Sequence, residues 1–154
     1  MKGKVLLLSM ILLLALPSFA QKHTDKDKEA KRKELMEIKL NYLADEMDLQ
    51  GEKKKQFFEV YSQMESERRK IFKKIKAAEK RISGTKDASE NDYEKASNEI
   101  TEAKNEMAQI EAKYDEKFAT FLTKKQIYTM KAAESKFMEK VRGCRDKRKA
   151  LKKQ

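Results

Sequence analysis

Residues 93–114 read YEKASNEITEAKNEMAQIEAKY, and the apolar positions Tyr93, Ala96, Ile100, Ala103, Met107, Ile110 and Tyr114 recur at alternating steps of three and four. Steps of that size return to one side of an α-helix, so the stretch predicts a helix with a single apolar seam. After Tyr114 the phase slips by one, and Phe118 and Phe121 carry the seam onward. The remaining positions are Glu, Lys, Asn, Ser and other small or polar residues. A seam this narrow must be covered by another helix, and the flanking sequence supplies candidates of the same kind.

Upstream, Ser83-Gly84-Thr85-Lys86-Asp87 reads as a hairpin turn. Asp87 or Ser89 can cap the helix that follows, with Glu90 or Asp92 three residues on. Before the turn, residues 52–82 predict a helix carrying Phe57, Tyr61, Met64, Ile71, Ile75, Ala78 and Ile82, with Arg68 breaking the stripe. Gly51 separates it from a first helix over residues 27–47, whose apolar side holds Leu35, Met36, Leu40, Leu43 and Met47. Downstream, a fourth helix from Lys124 shows Ile127, Met130, Phe137, Val141 and Cys144, with Glu134 in the interrupted slot. The expectation is an all-α chain of four helices in long hairpins, elongated, with its thin core completed by a second copy.

The chain opens with Lys2 and Lys4, an apolar run from Val5 to Leu16, and Pro17-Ser18-Phe19-Ala20 ahead of Gln21. This is the pattern of a secretory signal peptide over residues 1–20, and it is short for a membrane span. No cysteine follows the cut, which argues against a lipid anchor there. Residues 21–154 then form a single helical domain, with 21–26 frayed and 145–154 a basic tail. Export to the periplasm removes ATP and chromosomal DNA from the surroundings, so nucleic acid is not an expected partner.

The whole chain has a formal net charge of +11, and its first twenty residues hold two Lys and no acid, leaving +9 after removal. Charge is unevenly placed. Residues 51–83 carry eleven bases and five acids, residues 84–122 five bases and ten acids, and residues 123–154 twelve bases and three acids. Edge charges of an acidic helix between two basic ones attract weakly, as in coiled coils. Ten acids cannot neutralise twenty-three bases, so a basic face is left for an acidic or anionic partner. Cys144 is the only cysteine, which excludes an intramolecular disulfide. Its place in the apolar row of the last helix predicts burial, and pairing between chains is its other use.

The junction between the third and fourth helices reads Phe121-Leu122-Thr123-Lys124-Lys125-Gln126. Thr123 and Gln126 are spaced as a capping box, in which each side chain satisfies the other's backbone N–H, and Leu122 can staple the chain onto Ile127. The same residues are the Leu-Thr-x-x-Gln signature of the Spy/CpxP family, which this chain resembles in its export signal, basic helical body and scarcity of Pro and Cys. The family carries the signature twice. Here the first copy falls at Leu49-Gln50-Gly51-Glu52-Lys53, where only Leu49 matches.

The resemblance implies a homodimer of interlocked helical hairpins, curved into a cradle with a basic concave face. It implies an ATP-independent chaperone for unfolding envelope proteins, or an adaptor that binds and restrains an envelope-stress sensor; other members sense or buffer metals. Met, Phe, Lys and Arg side chains suit weak binding of many clients, because they adapt to irregular apolar and acidic surfaces. The client-binding candidates are Arg68, Arg69, Lys73, Lys74 and Lys76, with Phe57 and Phe58 near the helix start. Their plainer reading is a solvated face beside two core aromatics. For Arg68 it is a pairing with Glu134. Adhesion of the basic tail to anionic envelope material, lipid or polysaccharide, is a further reading and allows peripheral membrane contact.

No enzyme chemistry is expected. The only histidine, His23, lies near the amino terminus, and the chain has no Gly-rich phosphate loop, Cys/His zinc spacing or HExxH helix. No cofactor is expected. One metal arrangement is conceivable: cleavage before Gln21 would put His23 third from a free amine, a square-planar nitrogen set for Cu(II) or Ni(II). Cyclisation of Gln21 would remove that amine.

Overall fold

A computed structural model describes residues 25–151. Four helices follow one another: α1 (Asp25–Glu46), α2 (Gly51–Ser83), α3 (Glu90–Ala119) and α4 (Lys124–Leu151), with no strand among the described residues. Residues 1–24, which include the expected signal sequence and His23, lie outside this range. Of the stretch expected to be frayed, Asp25 and Lys26 are helical.

Each junction has a local cause. Helix α1 ends where Asp48 takes the left-handed conformation (φ 53°), which Asp tolerates better than most residues. Helix α2 begins at Gly51, also left-handed at φ 55°, after an extended Gln50 whose side chain makes no cap bond. Ser89 caps α3: its Oγ accepts the Asp92 N–H at 3.3 Å, and the Ser89 N–H donates to the Asp92 carboxylate at 3.0 Å. Of the caps expected from sequence, Ser89 with Asp92 is therefore the one used. At α4, the Gln126 N–H donates to Thr123 Oγ1 at 3.2 Å and the Thr123 N–H donates to Gln126 Oε1 at 3.0 Å. The reciprocal box expected there is formed.

The described chain divides into two compact units. One comprises residues 49–131, and the other residues 25–48 together with 132–151. Helix α4 runs unbroken from one into the other.

In the 49–131 unit, α2 and α3 form an antiparallel hairpin. Glu67 pairs with Lys113, Lys74 with Glu106 and Arg81 with Glu99, at 2.7 to 2.9 Å. The pairs step by seven along α2 and by seven backwards along α3, so one register holds along this whole edge. Between the helices lie Phe57, Tyr61, Met64, Ile71 and Ala78 from α2 and Ala96, Ala103, Tyr114 and Phe118 from α3, all buried. The alanines let the helices approach closely toward the turn. At the other end Phe57, Tyr61 and Phe118 are fully buried, with ring centroids 5.3 to 6.4 Å apart. Fully burying an aromatic side chain of this size contributes roughly 1.5–3 kcal/mol, so this cluster anchors the hairpin. Tyr93, placed on the seam by its spacing, is instead half exposed in the first turn of α3.

In the other unit, Leu40, Leu43 and Ala44 of α1, Met47 just beyond its end, and Ala133 and Phe137 of α4 are buried. Tyr42 and Phe137 stack tilted at 5.7 Å, and Lys140 lies over the Tyr42 ring. Burial, followed by the nearby Glu46 charge, raises the Tyr42 phenol above its ordinary value. Helix α4 passes straight through Gly143, so the basic tail is helical as far as Leu151. Cys144 is exposed, against the expected burial: α4 has left its packed stretch by that point, and all of residues 142–151 face solvent.

Candidate binding surface on helix α2

The five basic residues singled out on α2 do not share one environment. Arg68 is half-buried and donates to Glu65 at 2.9 Å, with Glu111 of α3 at 3.7 Å. It holds the second edge of the hairpin. Lys74 is committed to Glu106 on the opposite edge. Both are corrections of one kind: a cation next to an apolar stripe stands where the neighbouring helix can offer a carboxylate.

Phe57 is a third correction. It is fully buried against Tyr61 and Phe118 and is a core residue with no surface to offer. Phe58, one residue on, is half-buried, with the Lys54 ammonium 5.5 Å from its ring centroid.

Arg69, Lys73 and Lys76 remain on the outer side of α2. Lys76 pairs with Glu79 one turn on and lies 5.5 Å from the ring centroid of Phe72. Phe72 is 54% exposed. Lys70, Lys73 and Lys80 are exposed and have no ion-pair partner among the described residues.

A face emerges from the helical period. Lys54, Phe58, Glu65, Arg69, Phe72 and Lys76 are separated by four, seven, four, three and four residues, which puts them along one side of α2 next to the core stripe. Two aromatic rings, each beneath a lysine four residues away, thus alternate with charge. A ring in this setting offers apolar area, and its cation offers a mobile positive group.

Sequence reasoning passed over Phe72. Its signal was there: Phe72 follows Ile71 directly, so a buried Ile71 turns Phe72 about 100° away from the core. Tyr128, 75% exposed near the start of α4, was passed over too.

The strongest electrostatic perturbation lies elsewhere and is structural. Tyr114 OH donates to Glu67 Oε1 at 2.8 Å, and Lys113 donates to the same carboxylate at 2.9 Å. Hydrogen bonds from Lys113 and Tyr114 lower the Glu67 carboxyl below its ordinary value. Burial, reinforced by Glu67, pushes the Tyr114 phenol up to about 12. No group of three or more metal-ligating side chains gathers among the described residues, and no described helix is long and apolar enough to cross a membrane.

The Leu-Thr-x-x-Gln signature is repeated in architecture more than in residues. Leu122 and Leu49 each precede a helix start and are each buried, at 6% and 4% exposure. Thr123 and Gln50 each sit at the cap, but only Thr123 makes the side-chain bond. No family model, no curated protein and no solved structure matches the chain.

Proposed function

We propose that this protein is an exported, ATP-independent chaperone of the Spy/CpxP kind, which holds unfolding envelope proteins on the outer face of α2. The observation that carries the reading is Phe72, more than half exposed between Arg69, Lys73 and Lys76 on a helix of net positive charge. An unfolding chain exposes apolar groups and acidic groups together. A ring capped by a lysine can meet the first, and the surrounding bases can meet the second. Weak contacts of this sort tolerate many clients, and release needs no nucleotide. Homodimer formation, with two such faces on one particle, belongs to the same proposal.

The test is aggregation of two unrelated denatured proteins, followed by light scattering with the exported protein added and no ATP. Protection of both near equal stoichiometry, weakened by F72S/K73S/K76S, is expected. Protection of neither by a folded helical protein would overturn the chaperone reading and leave an adaptor dedicated to one envelope protein.

A further inference from the structure

The two edges of the α2–α3 hairpin differ. Glu67–Lys113, Lys74–Glu106 and Arg81–Glu99 span one edge, and beside them Ile71, Ala78, Ala96 and Ala103 are buried. On the other edge Arg68 reaches Glu111 at 3.7 Å, and from there toward the turn the lining is apolar. Ile75 and Ile82 of α2 and Ile100 and Met107 of α3 are only half-buried, and Phe72 is more than half exposed. Helical phase places them together. With Ile71 as origin, Lys74 and Arg81 fall about 60° and about 80° to one side, and Ile75 and Phe72 about 40° and about 100° to the other. Around Ala103, Glu99 and Glu106 turn one way, while Met107, Ile100 and Lys104 turn the other. The register of the ion pairs sets Phe72 and Ile75 across from Met107 and Lys104, and Ile82 across from Ile100.

From Phe72 to Ile82 this open face is about 15 Å long, close to three turns of helix. A row left half-covered on both members of a helix pair is the row against which a third helix packs. An extended segment fits it poorly. Both hairpin helices satisfy their own backbone groups, so an extended chain laid there would leave N–H and C=O groups unpaired against apolar side chains, whereas a helix arrives with its own satisfied. Charge sets what should flank the occupant. Glu65 and Glu111 are engaged by Arg68, and Glu79 by Lys76. Lys104 is exposed and has no ion-pair partner among the described residues. A second copy would bring only the same Lys104 and the same engaged acids, while an acidic partner would answer the lysine.

We infer that this face receives an amphipathic helix of another protein, whose apolar stripe is flanked by Glu or Asp, as the third helix of a bundle. Phe72, Ile75, Ile100 and Met107 take the stripe, and Lys104 meets a flanking carboxylate. The inference deepens the chaperone reading and rests on it for the occupant being a client protein; it adds α3 to the site and gives the client segment its chemistry.

Fluorescence anisotropy tests it, with the exported protein and a labelled helical peptide of about three heptads: Leu at the two core positions, Glu at the flanking ones, Ala and Gln elsewhere. Glu on both flanks keeps the peptide from pairing with itself. Saturable binding that weakens as salt is raised is expected. A scrambled peptide of the same composition, and one with Lys in place of Glu, should each bind at least about tenfold more weakly. K104E should weaken the Glu peptide about tenfold and strengthen the Lys peptide. K80E, an equal charge change at an exposed position off this face, should leave both within about twofold. M107S should weaken the Glu peptide about tenfold, with helical content by circular dichroism unchanged. Absence of saturable binding, equal binding of the scrambled peptide, or equal loss in K80E would each overturn the inference. Loss in F72S without loss in M107S or K104E would overturn the two-helix site and leave the chaperone reading standing, because light scattering reads that separately. A dimer in sedimentation that M107S dissolves would give the face to a second copy and overturn the assignment.

Discussion

Lys39 Nζ lies 2.9 Å from Glu134 Oε1, with the two side chains only 8% and 19% exposed. The pair joins α1 to α4 across ninety-five residues of sequence. Its members break the apolar stripes of their own helices, and each break accommodates the other. Removing one partner takes this charge-assisted bond from a largely buried group. K39M and E134Q should each destabilise the protein by about 2–4 kcal/mol in urea unfolding. The double replacement K39M/E134L should recover most of that loss, because two well-packed apolar groups can substitute for a buried pair.

Two phenylalanines of α2 should separate stability from client binding. F57A empties a fully buried site and is expected to cost about 3–5 kcal/mol. F72A alters an exposed ring and is expected to move stability by no more than about 0.5 kcal/mol. In the light-scattering assay F72A should weaken protection although the fold is intact. A fully protective F72A protein would remove Phe72 from the binding surface.

The helix starts at 50 and 123 should respond differently to the same change. T123A removes a formed cap and should lower stability by about 1 kcal/mol, whereas Q50A removes a side chain with no cap bond and should be near neutral. Next to it, G51A should cost about 1–2 kcal/mol. A Cβ there would meet no atom within 4 Å, so the cost is that of a left-handed φ and not of a clash. Thermal midpoints of the three variants decide the matter.

Acid should weaken the α2–α3 hairpin in part through Glu67. Its carboxyl binds a proton less readily folded than unfolded, so the contribution is full above the ordinary value of 4.5. It disappears as pH falls through the lower folded value. Wild type and E67Q should therefore differ most near neutral pH and converge toward pH 3. At the alkaline end the sign reverses. Tyr114 ionises near 10 when unfolded but near 12 when folded, so stability should fall as pH climbs across that interval. Phenolate absorbance should show Tyr114 and Tyr42 titrating above the ordinary tyrosine value.

The helices, their order and the capping at Thr123 were legible because they depend on local spacing. A period of three and four, a glycine at a turn and a reciprocal cap are fixed by residues a few positions apart. The same periodicity identified Phe118 and Ile71 as core. It misplaced Cys144 because a stripe continues in sequence after the partner helix has ceased to cover it. It also placed Phe57 in the apolar stripe of α2, where the structure buries it, so its nomination with Phe58 as a client contact ran against its helical phase.

Which cation faces solvent was a tertiary decision. Arg68, Lys74 and Lys76 look alike in sequence, yet Glu111 and Glu106 of α3 engage the first two, while Lys76 keeps to its own helix beside Phe72. The register of two antiparallel helices sets which carboxylate comes within reach of which base, and charges on one chain do not encode that register singly. That Lys39 of α1 meets Glu134 of α4 was settled in the same way. Sequence alone determined that the chain folds as four helices with excess positive charge; tertiary packing decided which of those charges remain available, because pairing across helices is settled only when both are in place.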